Sequence, residues 1–176
     1  MKKCLILFAS KTGNTGKVAK EVKKCFEDAS WNVDFVKYDM VNNPIDLGID
    51  YDEYDFLCLG SPVYWYVPHD PMLQAIRKTT HTKSYSKIIP GPKKALAFAT
   101  YSGAHLGPRE AEACLKLLEI TYEHLGFESA GAISIPGKYP NRPTPEWHHP
   151  DLYLHPNKDD LRNVSKFVKN IIDGYE

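Results

Sequence analysis

Nothing in this chain gathers charge of one sign. Lys plus Arg and Asp plus Glu each number 22, giving a formal net charge of +0. No global field therefore draws in nucleic acid, an anionic membrane surface or a strongly charged partner. Long hydrophobic runs are missing as well. The stretch Met1-Lys2-Lys3-Cys4-Leu5-Ile6-Leu7-Phe8-Ala9 has the outline of a secretory start, but its apolar run breaks at Ser10-Lys11-Thr12 and reads as a buried strand. No stretch approaches the roughly 20 apolar residues that cross a bilayer, and no lipid-anchor motif occurs. Cysteine is sparse: Cys4, Cys25, Cys58 and Cys114, with no C-x-x-C pair. Each falls inside a strand or helix pattern and reads as a reduced, core-packing thiol. The expectation is a soluble, cytoplasmic protein with neither a nucleic-acid nor a membrane partner.

What is present is ordinary in amount. Hydrophobic residues make up 43% and charged residues 25% of 176, which excludes a largely disordered chain and suits one domain over 1–176. No internal repeat or linker divides it.

Along the chain apolar strands alternate with amphipathic helices, the pattern of an α/β fold with a parallel sheet covered on both faces. Lys3 to Ala9 is a nearly continuous apolar run, as a central strand requires. The next helix lines up Val18, Ala19, Val22, Cys25 and Phe26 against a wet face of Lys17, Lys20, Lys23 and Lys24. Further strands are predicted at Asn32 to Tyr38, Asp55 to Gly60, Ala95 to Ala99 and Ser129 to Ile135. Helices are predicted from Asp70 to Thr79, from Pro108 to a stop at Gly126, and along Leu161, Val164, Val168, Ile171 and Ile172. The segment from Pro136 to Pro156, with Trp147, His148, His149, Tyr153 and His155, is long for a connection in a compact domain.

In such a sheet the loops after the strands collect at the carboxyl edge, where ligands bind. The first is Ser10-Lys11-Thr12-Gly13-Asn14-Thr15. Its hydroxyls can donate to phosphate oxygens, Gly13 lets the backbone curl closely, and the helix that follows offers unpaired N–H groups at the positive end of its dipole. It lacks the Gly-Lys-Ser/Thr ending of a triphosphate loop and the Gly-x-Gly-x-x-Gly of a dinucleotide fold, so a terminal monophosphate fits best. The bland alternative is a helix cap by Thr15.

Here the sequence resembles the flavodoxin-like family, whose first loop reads Thr/Ser-x-Thr-Gly-x-Thr. The resemblance implies a doubly wound, five-stranded parallel sheet in the order 2-1-3-4-5 with helices on both faces. It also implies non-covalent FMN, its phosphate held by Ser10, Thr12, Gly13, Asn14 and Thr15, with Lys11 contributing through its backbone.

The second loop, Gly60-Ser61-Pro62-Val63-Tyr64-Trp65-Tyr66-Val67-Pro68, sets three aromatics side by side after a strand. Flat rings at such a place can cover a flavin face, and the resemblance assigns Ser61, Pro62, Val63, Tyr64, Trp65 and Tyr66 to the isoalloxazine. Which ring stacks is open, and any one of them can instead pack on a neighbouring helix or a subunit contact. The third loop runs Thr100-Tyr101-Ser102-Gly103-Ala104-His105-Leu106-Gly107. The resemblance places Thr100, Tyr101, Ser102, Gly103, His105 and Gly107 at the pyrimidine side of the flavin, where backbone N–H groups steady charge on the ring.

Two features depart from the electron-carrying flavodoxins. Those proteins are strongly acidic, whereas this chain is balanced and has no carboxylate either in the third loop or between Ser61 and His69, so repulsion of a reduced, anionic flavin is expected to be weak. The same stretch contains no glycine to allow a peptide flip beside the flavin. Both features tilt the expectation toward an NAD(P)H-dependent FMN/quinone-type oxidoreductase, with a carrier serving a redox partner protein as the alternative and a flavin-free binding domain as the third class. Such chemistry requires no catalytic acid or base, and none is assigned. The approach His155-Pro156-Asn157 then Asp159-Asp160-Leu161 also resembles flavodoxin-like reductases. The late histidines complete no metal-ligand spacing, so no metal is expected. The 136–156 segment is expected to cover the flavin edge or to meet a second subunit in a homodimer.

Overall fold

The computed structural model describes residues 1–39, 48–82, 93–103, 106–138 and 154–175, with the backbone alone over 78–82. In chain order the elements are β1 (Lys3–Phe8), α1 (Asn14–Asp28), β2 (Asn32–Lys37), β3 (Phe56–Tyr64), β4 (Val67–Pro68), α2 (Asp70–Thr82), β5 (Lys94–Tyr101), α3 (Glu112–His124), β6 (Glu128–Pro136) and α4 (Lys158–Asp173). Short 3-10 turns at Tyr51–Glu53 and Gly107–Ala111 precede β3 and α3.

The sheet runs β2-β1-β3-β5-β6, all parallel, with β4 attached to β3 alone. Leaving β4 out of the count, this is the expected 2-1-3-4-5 order. Central strands lose both faces to packing, so they must be apolar throughout. Accordingly β1 and β5 are buried from their second residue onward.

Alternation along each strand sorts side chains into two cores. Leu5, Leu7, Leu57, Leu59, Ala95, Ala97 and Ala99 meet Met72, Cys114, Leu118 and Tyr122 on the face of α2 and α3. Cys4, Ile6, Phe8, Phe56, Cys58, Leu96 and Phe98 meet Val18, Val22, Phe26, Val164 and Val168 on the face of α1 and α4. All four cysteines are buried and none forms a disulfide. Burial pushes the Cys114 thiol up to about 12 and raises Cys25 and Cys58, which leaves them inert as nucleophiles. Among the described residues no helix is long and apolar enough to cross a membrane.

One expectation needs correcting. The third strand, placed at Asp55 to Gly60 with a loop beyond, continues to Tyr64 and folds back as a hairpin with Val63↔Pro68 and Tyr64↔Val67 paired. Pro62 suggested a loop because proline removes a ladder donor. The pairing shows why it is tolerated: β1 stops opposite Gly60, so Pro62 has a strand neighbour on one side only, at Thr100.

Gly60 is fixed by the same ladder. A Cβ there would sit 2.1 Å from Cζ of Phe98, its partner in register, so the ring lies across the glycine. Gly60→Ala must displace this fully buried ring and is expected to lower stability by about 1–3 kcal/mol, read as a lower urea midpoint with an unchanged slope.

Candidate functional site

The first loop is built to leave a helix end open. Gly13 takes φ 90 at the cap position of α1 and brings no capping side chain of its own. That conformation is free only to glycine, and open space surrounds the position a Cβ would take. Thr15 is not the cap expected as the bland alternative. It lies inside the first turn, 1% exposed, with its Oγ1 2.8 Å from that of Thr100. The Ser10 hydroxyl accepts from Gly16 N–H at 3.0 Å, and Lys17 N–H donates to Gly13 O. The amides before Gly16 are the ones an α-helix leaves without intrahelical acceptors, and they carry the positive end of its dipole. Lys11, Thr12 and Gly13 are exposed around them.

Asn14 ties this helix end to the far side of the sheet. Buried to 4%, it donates through Nδ2 to Lys138 O at 2.8 Å. Among the described residues its Oδ1 is buried without a partner, whereas buried polar atoms are almost always paired. Gly137 admits this contact: a Cβ there would stand 2.8 Å from Asn14 Nδ2. Lys138 N–H in turn donates to His155 O, and Gly137 N–H to Tyr101 O. His155 Nδ1 lies 2.5 Å from Asp160 Oδ2, which also accepts from Asn157 N–H within the capping box that opens α4.

The second wall is the hairpin. Ser61 is fully buried, and its hydroxyl accepts from His69 N–H at 3.0 Å and donates to Pro62 O, so it closes the hairpin from within. Trp65 and Tyr66 occupy the two-residue tip with φ 51 and 69, the positive pair that marks a type I′ turn. Asparagine and glycine favour such positions, and bulky residues there cost about 1–2 kcal/mol each. Yet Trp65 is 90% exposed and Tyr66 53%, so burial within this chain does not offset the strain. Tyr64 packs instead on His69, with ring centroids 4.5 Å apart.

On the third loop Thr100 and Tyr101 are buried ends of β5, while Ser102 and Gly103 are half-buried. Burial, then the carboxylates of Asp160 and Glu110, raise the Tyr101 phenol. Gly107 takes φ 56 before the turn that leads to α3. Ala104 and His105 lie outside the described residues, as do Trp147, His148, His149 and Tyr153. Among the described residues no group of three His, Cys, Asp or Glu side chains could hold a metal.

The three loops are joined directly. Thr15 meets Thr100, Pro62 pairs with Thr100, and Ala9 N–H donates to Gly60 O. Two residues escaped the sequence reading. Among the described residues His69 Nδ1 is a second buried atom without a partner, and Lys11 acts on it electrostatically. Glu110, outside the third loop in sequence, folds its carboxylate back onto Gly103, so the wall expected to lack an acid contains one. Neither is visible in residue spacing, because both depend on a turn closing.

Order, register and helix placement can now be set against known proteins. No family model matches the chain. It is 27% identical over 188 residues to a flavodoxin-like domain-containing protein, BilS, of Clostridioides difficile, covering 97% of this chain and 96% of that one. Flavodoxin 1 of Bacillus cereus superposes with a TM-score of 0.69 over 99% of this chain and all of that one, at 16% identity. The chain has the flavodoxin-like fold. The same fold matches part of a larger protein, the rubredoxin oxygen:oxidoreductase of Desulfovibrio gigas, with a TM-score of 0.63 over 99% of this chain and 37% of that one, at 15% identity.

The same edge of the sheet sets one pH limit on stability. Burial, opposed by the Asp70 carboxylate and assisted by Lys11, lowers His69 below the ordinary histidine value of 6.5. The unfolded chain therefore binds this proton first, so His69 contributes stability above pH 6.5 that is lost as pH falls through its folded value. His69→Gln is expected to flatten that acid slope, and an NMR titration of the wild-type ring to show a midpoint below 6.5.

Proposed function

We propose that the protein binds FMN non-covalently at this carboxyl edge and passes electrons through it. The observation that carries the reading is the start of α1 at left-handed Gly13, whose cap position brings no side chain, with the Asn14 acceptor buried beside it and without a partner among the described residues. A mononucleotide answers both needs. Its phosphate suits the bare amides and the hydroxyl of Thr12, and its ribityl hydroxyls supply the donor that Asn14 Oδ1 lacks. The open space at Gly13 admits the phosphate close to the backbone. Trp65 and Tyr66, strained and exposed at the hairpin tip, would give up that exposure against a planar ring. Thr100 to Gly103 would form the opposite wall.

Bound FMN supplies the ability to accept a hydride or single electrons and release them again. The chain's own residues bind, orient and exclude water. Thr15 and Thr100 lock the cradle to the third loop, Ser61 locks the hairpin, and no side chain is asked to act as acid or base. For the donor we favour a reduced nicotinamide, on the balanced charge and the absence of glycine from 61–69. A carrier role beside a redox partner protein is the second reading, favoured by the aromatic tip left exposed at the mouth of the site.

Adding FMN to the purified chain and following flavin absorbance and fluorescence is expected to give one bound flavin per chain. NADH or NADPH is then expected to be consumed in steady state by the loaded protein. Flavin binding without nicotinamide turnover would select the carrier reading, and no flavin binding would reject both.

A further inference from the structure

Asn14 is held by a chain of hydrogen bonds that begins outside the first loop, at the start of α4. There Asn157 and Asp160 cap the helix reciprocally. The Asp160 oxygen that accepts from Asn157 N–H at 2.7 Å also meets His155 Nδ1 at 2.5 Å. An ionised carboxylate can only accept, so Nδ1 carries the hydrogen and the ring is held in one orientation. Both side chains are largely shielded, His155 at 21% exposure and Asp160 at 14%. The His155 carbonyl accepts from Lys138 N–H at 2.9 Å, and Lys138 O accepts from Asn14 Nδ2 at 2.8 Å. A side chain before α4 thus reaches the first residue of α1 through two backbone carbonyls.

The chain also decides which end of the Asn14 amide faces away from it. A carbonyl takes only the donor end of an amide, so Nδ2 turns to Lys138 and Oδ1 is left buried without a partner among the described residues. A second clamp acts at the same strand end, where Gly137 N–H donates to Tyr101 O at 2.7 Å. A Cβ on Gly137 would stand 2.8 Å from Asn14 Nδ2, and no left-handed φ forbids alanine there. What a larger residue would disturb is the amide itself.

We propose that His155 is a positioning residue: held by Asp160, it fixes Lys138 and so turns Asn14 to present an acceptor to a ligand hydroxyl. The inference rests on the FMN reading above, in which a ribityl hydroxyl supplies the donor. His155 acts through Lys138 and touches no ligand itself. Its removal leaves Gly13 and the open helix start in place, so the grip on the phosphate is kept and the hydroxyl contact alone is weakened. FMN and riboflavin share the ribityl chain, so both lose affinity by the same factor.

The full chain is titrated with FMN and with riboflavin by fluorescence, and the Asn14 side-chain amide is followed by NMR in the ligand-free protein. His155→Ala is expected to weaken both ligands about fivefold, the scale of one hydrogen bond, with their ratio unchanged, and to speed exchange of the Asn14 amide protons with water. His155→Asn, whose amide nitrogen can take the place of Nδ1, is expected to restore both properties. In an Asn14→Ala background, His155→Ala is expected to cause no further loss. Gly137→Ala leaves α4 untouched and presses on the amide directly, so it reads the same contact should His155→Ala fail to fold, and it too is expected to weaken both ligands alike. Undiminished affinity or an unchanged Asn14 amide in His155→Ala overturns the proposal even when FMN binds. So does an equal loss with Asn14 already removed, or a loss confined to FMN, which would place the damage at the helix end. Failure of the wild-type chain to bind FMN, seen before any variant is compared, rejects the underlying reading and the proposal with it.

Discussion

The amino end of α1 is the feature around which the rest is arranged. A helix start leaves several N–H groups without acceptors, and most proteins satisfy some of them with a Ser, Thr, Asp or Asn cap. This chain places glycine at the cap in a conformation that keeps side chains away. It then buries the hydroxyl of Thr15 against Thr100, where it holds two loops together rather than closing the helix. The open end is maintained by the parallel register of β1, β3 and β5, which brings all three loops to one edge.

Energetically the site is stiff where it touches the sheet and strained where it faces outward. Thr15, Ser61 and Thr100 are fully or nearly fully buried and hydrogen-bonded. Mispairing any of them exposes the chain to the cost of an unsatisfied buried polar group, about 1–3 kcal/mol. Trp65 and Tyr66 show the opposite balance, with left-handed backbone and little burial. Strain of this kind persists where surrounding structure over-determines it, here the two-pair ladder between β3 and β4.

Much of this was legible in the residues. The five parallel strands followed from apolar runs alternating with helical stripes, and the predicted inward faces of α1 and α4 hold Val18, Val22, Phe26, Val164 and Val168. The open turn before α1 was legible because Gly13 at a strand-to-helix junction has a local meaning. The hairpin was not, since Pro62 and three aromatics carry the signature of a loop, and only the early end of β1 makes a strand affordable there. Nor were Asn14 to Lys138 and Glu110 to Gly103, contacts made across 124 residues in one case and through a left-handed turn in the other.

The account stands on the grip of α1 on a terminal phosphate, and comparing FMN with riboflavin isolates that grip, because the two ligands share the ring and the ribityl chain and differ only in the phosphate. Side-by-side fluorescence titrations should give an affinity for FMN at least about a hundredfold higher, the scale of two or three charge-assisted hydrogen bonds. Equal affinities would mean that the open helix end does not hold the ligand, and would contradict the account at its base.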